Sequence, residues 1–167
     1  MIEVKERKTK KNTINIYMGE KYVSRRDELI YTAVGTCICI CLHDDKNKIS
    51  GMNHYMLPGM KHEMDYENCN KNQYGLESIR NLIDDMMNVG AVKQYLSAKI
   101  FGGASLIEEL DAGRENVKLA KIMLEFEDIN IVVDETGKNY TRKILMDVLS
   151  GKVFVKNKHK AGGYGKN

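Results

Sequence analysis

The apolar and polar positions of this chain repeat with two periods, one typical of strands and one typical of helices. Eight segments alternate or run apolar in the manner of β-strands; they are 13–19, 28–34, 37–43, 50–57, 97–103, 129–135, 142–149 and 152–157. Two segments, 73–89 and 117–126, carry apolar residues at helical spacing, and Gly90 is suited to end the first helix. The pattern predicts an α/β (α+β) layered sandwich with a mixed or antiparallel sheet and two main helices.

One predicted strand carries three cysteines at alternate positions. Because successive side chains of a strand point to opposite faces, Cys37, Cys39 and Cys41 share one face. They could form a metal site, a disulfide framework, ordinary core, or one nucleophile with two bystanders. Neighbouring sulfurs should lie about 6.5–7 Å apart, whereas tetrahedral zinc needs them within about 4 Å. We therefore expect no metal site.

The polar turn after this strand sets the pairing of the predicted hairpin. If Asp45 and Lys46 form a two-residue turn, Cys37 faces His54 directly, with Cβ atoms about 4.5–5.5 Å apart. We then expect the sulfur within about 4–5 Å of a ring nitrogen, the geometry of a nucleophile and its base. A cysteine that fills the core and a histidine that only supports structure remain alternatives.

The residues just before Cys37 favour the catalytic alternative. Gly35 and Thr36 precede it, and a loop there can expose the thiol. Such a loop also leaves backbone N–H groups free to bind an oxyanion. Thr36 is therefore a candidate residue of the oxyanion region.

Composition narrows the class of protein. The chain has 167 residues, 43% of them hydrophobic and 29% charged, which predicts a single domain over 1–167 with flexible ends at about 1–12 and 158–167. The first twelve residues, "MIEVKERKTKKN", carry charge without the apolar segment of a secretory signal, and no apolar run is long enough for a membrane helix, so we expect a cytoplasmic protein with reduced thiols. The net charge of +3 comes largely from the chain ends, without aromatic interleaving, so we expect no nucleic-acid binding.

The stretch "VGTCICICLHDDKNKISGMNHYMLP" strongly resembles the signature of CheD, the family of bacterial chemoreceptor glutamine deamidases. In that family a Gly-Ser/Thr-Cys segment leads into a strand, and a Gly-x-x-His-x-Met-Leu-Pro segment follows. The resemblance covers nearly the whole chain, because further segments occur in the family's order: "INIYMGEKYVS", "NQYGLESIRNLIDDMMNVGA", "AKIFGGAS", "GRENV" and "GKVFVK".

The resemblance implies a cysteine-dependent deamidase with an α/β sandwich core. Such an enzyme would hydrolyse glutamine side chains of methyl-accepting chemotaxis receptors to glutamate, with the nucleophile at Cys37 and the general base and acid at His54. The family often has a catalytic threonine six positions before the cysteine, where this chain has Tyr31. Thr32 is then favoured over Thr36 as the third residue. We expect no cofactor.

Two other classes of function compete with this interpretation. The fold could be a non-catalytic binding module that docks on and regulates a CheC-type phosphatase, the partner that the resemblance implies. It could also be a redox or metal switch built on the three cysteines.

Several remaining features are expected to be structural. "IFGGAS" lacks both the G-x-G-x-x-G pattern and the G-K-[ST] ending, which favours a bulge or a close backbone approach over a phosphate cradle. "GRENV" exchanges two charged residues of the family's segment and is expected to serve structure. Asn53 should point away from Cys37. We expect three histidines to lie on the surface: His43, His62 and His159.

Overall fold

The computed structural model describes residues 10–56, 73–106 and 112–159. The strands in these ranges are β1 (Asn12–Asn15), β2 (Lys21–Ser24), β3 (Glu28–Val34), β4 (Ile38–Asp44), β5 (Ile49–Asn53), β6 (Leu96–Gly102), β7 (Asn130–Thr136), β8 (Tyr140–Asp147) and β9 (Val153–His159). The helices are α1 (Gly75–Val89) and α2 (Ala112–Phe126), and a 3-10 helix spans Lys93–Tyr95.

The strands form two sheets stacked on each other. The five-stranded sheet has the order β2-β5-β4-β6-β7, in which only the β6–β7 pair is parallel. The four-stranded sheet has the order β1-β3-β8-β9, in which only the β1–β3 pair is parallel. The predicted α+β layered sandwich with two main helices is confirmed.

Strand β4 has a buried side chain at every position because both of its faces are covered. On one face Ile38, Ile40 and Leu42 pack against α1 and α2. On the other face Cys39 and Cys41 pack against the four-stranded sheet. The alternation of "CICICL" thus divides the side chains of β4 between two cores.

Most predicted elements are present with shifted ends. Gly90 caps α1 in the left-handed conformation at φ 114°, with its N–H directed to the carbonyls of Met86 and Met87. Helix α2 begins five residues before the predicted start at Val117, because its first turn carries Gly113 and polar residues instead of apolar ones. Strand β2 was not predicted, since four residues give too short a pattern. Most of the predicted flexible ends lie outside the described residues, although Lys158 and His159 belong to β9.

No helix within the described ranges has both the length and the apolar character that a bilayer crossing requires.

Candidate active site

Cys37 lies in the loop between β3 and β4 and is half-buried. The loop is held through its carbonyl groups. Ala104 N donates to Gly35 O at 2.9 Å, and Gly103 N donates to Cys37 O at 2.9 Å. Gly102, at φ 105°, lets the cysteine loop and the end of β6 approach each other, because a Cβ on Gly102 would overlap the Cys37 carbonyl oxygen. The expected close backbone approach at "IFGGAS" is confirmed.

The N–H groups of this loop are free among the described residues. No acceptor in ranges 10–56, 73–106 and 112–159 takes the N–H of Thr36 or of Cys37. Two unpaired backbone donors beside a thiol can bind a developing oxyanion. The Thr36 side chain itself makes no hydrogen bond with a described residue.

His54 follows β5 and is 6% exposed. Its N–H donates to Glu20 O at 3.0 Å, and its carbonyl accepts from Gly19 N at 2.8 Å. The turn between β1 and β2 therefore holds the histidine backbone on both sides. The ring points toward the four-stranded sheet, where it meets Thr32 of β3.

The Thr32 hydroxyl decides the tautomer of His54. Thr32 Oγ1 lies 2.8 Å from Ile16 O and 2.9 Å from His54 Nδ1. A carbonyl oxygen only accepts, so the single hydroxyl proton of Thr32 goes to Ile16 O. His54 Nδ1–H must then donate to Thr32 Oγ1, which leaves the lone pair on Nε2. We assign Nε2 as the ring nitrogen that can accept a proton.

Burial sets the resting protonation of both groups. It raises the pKa of the Cys37 thiol, and the effect of its own N–H in the opposite direction is smaller. Burial lowers the pKa of His54 to about 4, against a weaker upward effect of the Glu20 carboxylate. At neutral pH the pair therefore rests as a thiol and a neutral imidazole, and the neutral ring is the form that can act as a base.

The predicted direct pairing of Cys37 with His54 is wrong. Cys41 pairs with Met52, and the same register continues to the Ile38–Tyr55 bridge. His54 consequently lies opposite Cys39 and diagonal to Cys37, a position with Cβ atoms about 7–8 Å apart or slightly less. No hydrogen bond joins the Cys37 sulfur to the His54 ring in the described part of the chain.

The turn explains this offset. It has four residues, 45–48, instead of two, because the Asp44 carboxylate accepts from Lys46 N at 3.0 Å and from Asn47 N at 2.8 Å. A shift of two residues keeps the face of every side chain. The predicted sharing of one face by the cysteines and His54 is therefore retained.

Cys39 and Cys41 are core residues, as expected. They are 0% and 1% exposed and are not bridged. Their sulfurs lie 3.8 Å apart, so the predicted spacing of 6.5–7 Å, on which the expectation of no metal site rested, is wrong for this pair. No group of three metal-ligating side chains occurs within the described ranges.

The expected surface position of His43 is wrong. It is 7% exposed, and its Nδ1 lies 2.8 Å from Ser50 Oγ, which donates to Val148 O. By the argument used for His54, His43 Nδ1 carries the proton. Its Nε2 is buried without a hydrogen bond and lies 3.5 Å from Asp45 Oδ1. His159 is exposed as predicted, and His62 lies outside the described residues.

Two residues that support the cysteine loop were not found from the sequence. Asn116 of α2 is fully buried and donates to Thr36 O at 3.1 Å. Arg142 of β8 is also fully buried, and its guanidinium donates to Gly102 O and Gly137 O at 3.3 and 2.9 Å. Asn116 lies in the "GRENV" segment that was expected to serve structure, and Arg142 begins the predicted strand 142–149, but only the contacts reveal that they support the cysteine loop. Asn53 serves structure, as expected, since it bonds Ile40 N and Ser78 Oγ.

The fold and the site define a class: an α+β sandwich protein with a partly exposed thiol just before one strand and a buried histidine just after the neighbouring strand. The model of the CheD family, described as CheD chemotactic sensory transduction, matches residues 56–157. The chain belongs to the CheD family. The matched segment begins after Cys37 and His54.

Curated relatives extend the match over most of the chain. A probable chemoreceptor glutamine deamidase CheD of Hahella chejuensis is 38% identical over 144 residues, 84% of this chain and 68% of the relative. The protein of the same name from Hydrogenovibrio crunogenus is 36% identical over 146 residues, covering 86% and 76%. That from Sulfurimonas denitrificans is 34% identical over 146 residues, covering 84% and 91%.

Proposed function

We propose that this protein deamidates specific glutamine side chains of chemotaxis receptors to glutamate, with Cys37 as nucleophile and His54 as base. The names of its relatives give the reaction and the kind of substrate. The observation that carries the assignment of residues is the bond from His54 Nδ1 to Thr32 Oγ1, which leaves Nε2 as acceptor on the face that Cys37 shares. Thr32 is the proposed third residue.

The proposed reaction follows from these groups. His54 Nε2 takes the Cys37 proton as the sulfur attacks the carboxamide carbon, and the resulting oxyanion is bound by the N–H groups of Thr36 and Cys37. Collapse breaks the C–N bond, and the leaving nitrogen takes the proton from His54 and departs as ammonia. A water molecule, deprotonated by His54, then hydrolyses the thioester to glutamate and restores the thiol.

We place this reaction in the cytoplasm. Support comes from the unbridged state of Cys37, Cys39 and Cys41, because thiols persist in reducing compartments. Binding and regulation of a CheC-type phosphatase by this protein stay a prediction from the sequence resemblance.

Replacing Cys37 tests the assignment. Cys37→Ala should abolish conversion of glutamine to glutamate in a receptor cytoplasmic fragment, followed as a gain of about 1 Da per site, since no thioester can form. Its free energy of unfolding should fall by about 1 kcal/mol or less, because the side chain is only half-buried.

Cys39→Ala is the matched control. It removes a fully buried thiol from the same face, so it should lower stability by about 1–3 kcal/mol while conversion persists. Conversion by Cys37→Ala would contradict the mechanism. If the wild type converts nothing but still binds receptor or a CheC-type protein, the binding-module alternative takes its place.

A further inference from the structure

A buried asparagine of α2 joins the two halves of the candidate site. Asn116 is 0% exposed, and its Nδ2 donates to Thr36 O at 3.1 Å and to Met56 O at 2.8 Å. Thr36 directly precedes Cys37, and Met56 follows His54 by two residues. One amide group therefore ties the cysteine loop to the chain that leaves the histidine.

The bond to Thr36 also fixes the direction of a catalytic donor. In a trans peptide the carbonyl and the following N–H lie in one plane and point in opposite directions. Holding Thr36 C=O toward α2 thus directs the Cys37 N–H away from α2. The bond from Ala104 N to Gly35 O acts in the same way on the Thr36 N–H. Neither N–H has an acceptor among the described residues.

The unpaired oxygen of Asn116 indicates that its donors are what matters. Its Oδ1 is buried and has no partner within the described ranges, which is unfavourable. An apolar side chain of similar shape would avoid that unpaired oxygen. It would, however, leave the carbonyls of Thr36 and Met56 without their donor.

We propose that Asn116 is a positioning residue that orients the Thr36–Cys37 peptide, so that the Cys37 N–H serves as an oxyanion donor. The inference rests on the proposed function for the reaction it serves. Small reagents that react with the Cys37 thiol can test this positioning role without a receptor.

Two reagents that both attack Cys37 differ in whether an oxyanion forms. With p-nitrophenyl acetate, the thiolate adds to the ester carbonyl carbon, and negative charge develops on the carbonyl oxygen. Nitrophenolate then departs, and Cys37 is left as a thioester. With iodoacetamide, the thiolate displaces iodide and no oxyanion forms. A Cys69→Ser background restricts the thiol reactions of both reagents to Cys37, because Cys39 and Cys41 are buried, and the rate of Cys37→Ala in that background is subtracted to remove acylation of amines.

Asn116→Leu keeps the branching of the side chain and removes both donors. It should slow acylation by p-nitrophenyl acetate about 10- to 100-fold, while alkylation by iodoacetamide stays within about two-fold of wild type. Deamidation of a receptor fragment should fall with acylation. Equal loss of both rates, or no loss of acylation, would overturn the proposal.

Asn53→Leu is the matched control, because Asn53 is equally buried but bonds Ile40 N and Ser78 Oγ instead of the cysteine loop. It should leave the ratio of the two rates unchanged. If Asn116→Leu does not fold, Asn116→Ala replaces it in the same comparison of rates.

A measurement on the wild type completes the test. Both Nδ2 protons of Asn116 should exchange slowly with solvent by NMR, and fast exchange would contradict the clamp. If the rate ratio and the exchange behave as expected while no receptor glutamine is converted, the proposed function fails and the positioning role stands.

Discussion

The direction of a single hydrogen bond decides what His54 can do. Thr32 gives its only proton to Ile16 O, so it can only accept from His54. The ring is thereby held with its proton on Nδ1 and its lone pair on Nε2. Without the hydroxyl, the ring would be free to adopt the other tautomer and other orientations.

Thr32→Val tests this role. The change preserves shape but removes the acceptor, so kcat for deamidation should fall about 10- to 100-fold. The rate of Cys37 alkylation by iodoacetamide near neutral pH should fall as well, because the base is no longer oriented toward the thiol.

Ser50→Ala is the control for this prediction, since His43, Ser50 and Val148 O repeat the same arrangement away from Cys37. It should reduce stability without reducing kcat. A Thr32→Val enzyme with wild-type kcat would show that the tautomer is set by other contacts.

At the scale of elements, the end of β6 determines where the cysteine loop lies. Gly102 and Gly103 close the strand with positive φ values of 105° and 62°. The Gly103 N–H donates to Cys37 O, and the Arg142 guanidinium donates to Gly102 O. The end of β6, the cysteine loop and β8 are therefore coupled.

Gly102→Ala tests this coupling. The new Cβ would overlap the Cys37 carbonyl oxygen, so the loop must move. We expect a loss of more than about 3 kcal/mol in the free energy of unfolding and a marked loss of turnover. Thermal unfolding and receptor deamidation measure the two effects.

Gly137→Ala separates crowding from backbone strain. Gly137 also has a positive φ, 77°, but a Cβ there meets nothing within 4 Å. It should cost only about 1–2 kcal/mol and leave turnover intact. Equal effects of the two substitutions would argue against the coupling.

At the scale of the whole molecule, two buried histidines tie stability to pH. Burial lowers the pKa of His54 from 6.5 to about 4 and lowers that of His43 as well. Between pH 4 and pH 6.5 the unfolded chain therefore binds more protons than the folded one. Stability is therefore lost as pH falls from 6.5 toward 4, and His54 alone contributes about 3 kcal/mol.

Urea unfolding at pH 7, 5.5 and 4.5 checks this expectation. The free energy of unfolding of the wild type should fall steadily across the series, and His54→Gln should show a clearly shallower fall because one titrating group is gone. An identical slope for both proteins would mean that His54 is solvated when it takes up its proton.

Some features follow from the sequence because they are local. The alternation of "CICICLH" decides that the cysteines share a face, whatever strand lies beside them, and Gly90 ends α1 by its own conformation. The motif around Cys37 and His54 also predicted the family, and the comparisons confirm it.

Other features depend on contacts between distant parts of the chain. The register of the hairpin was wrong by two residues because the Asp44 carboxylate stabilises a longer turn. The sequence favoured Thr32 over Thr36 only by analogy, and packing of two sheets brings its hydroxyl to His54.

The sequence by itself thus determined the faces of the strands, the helices and the candidate pair, since side-chain direction repeats with the backbone. Only the tertiary structure decided the spacing of that pair, the tautomer of His54 and the place of Asn116. Asn116 lies 80 residues from Thr36 along the chain, and no local sequence pattern indicates which helix a loop will contact. That choice depends on how the layers pack.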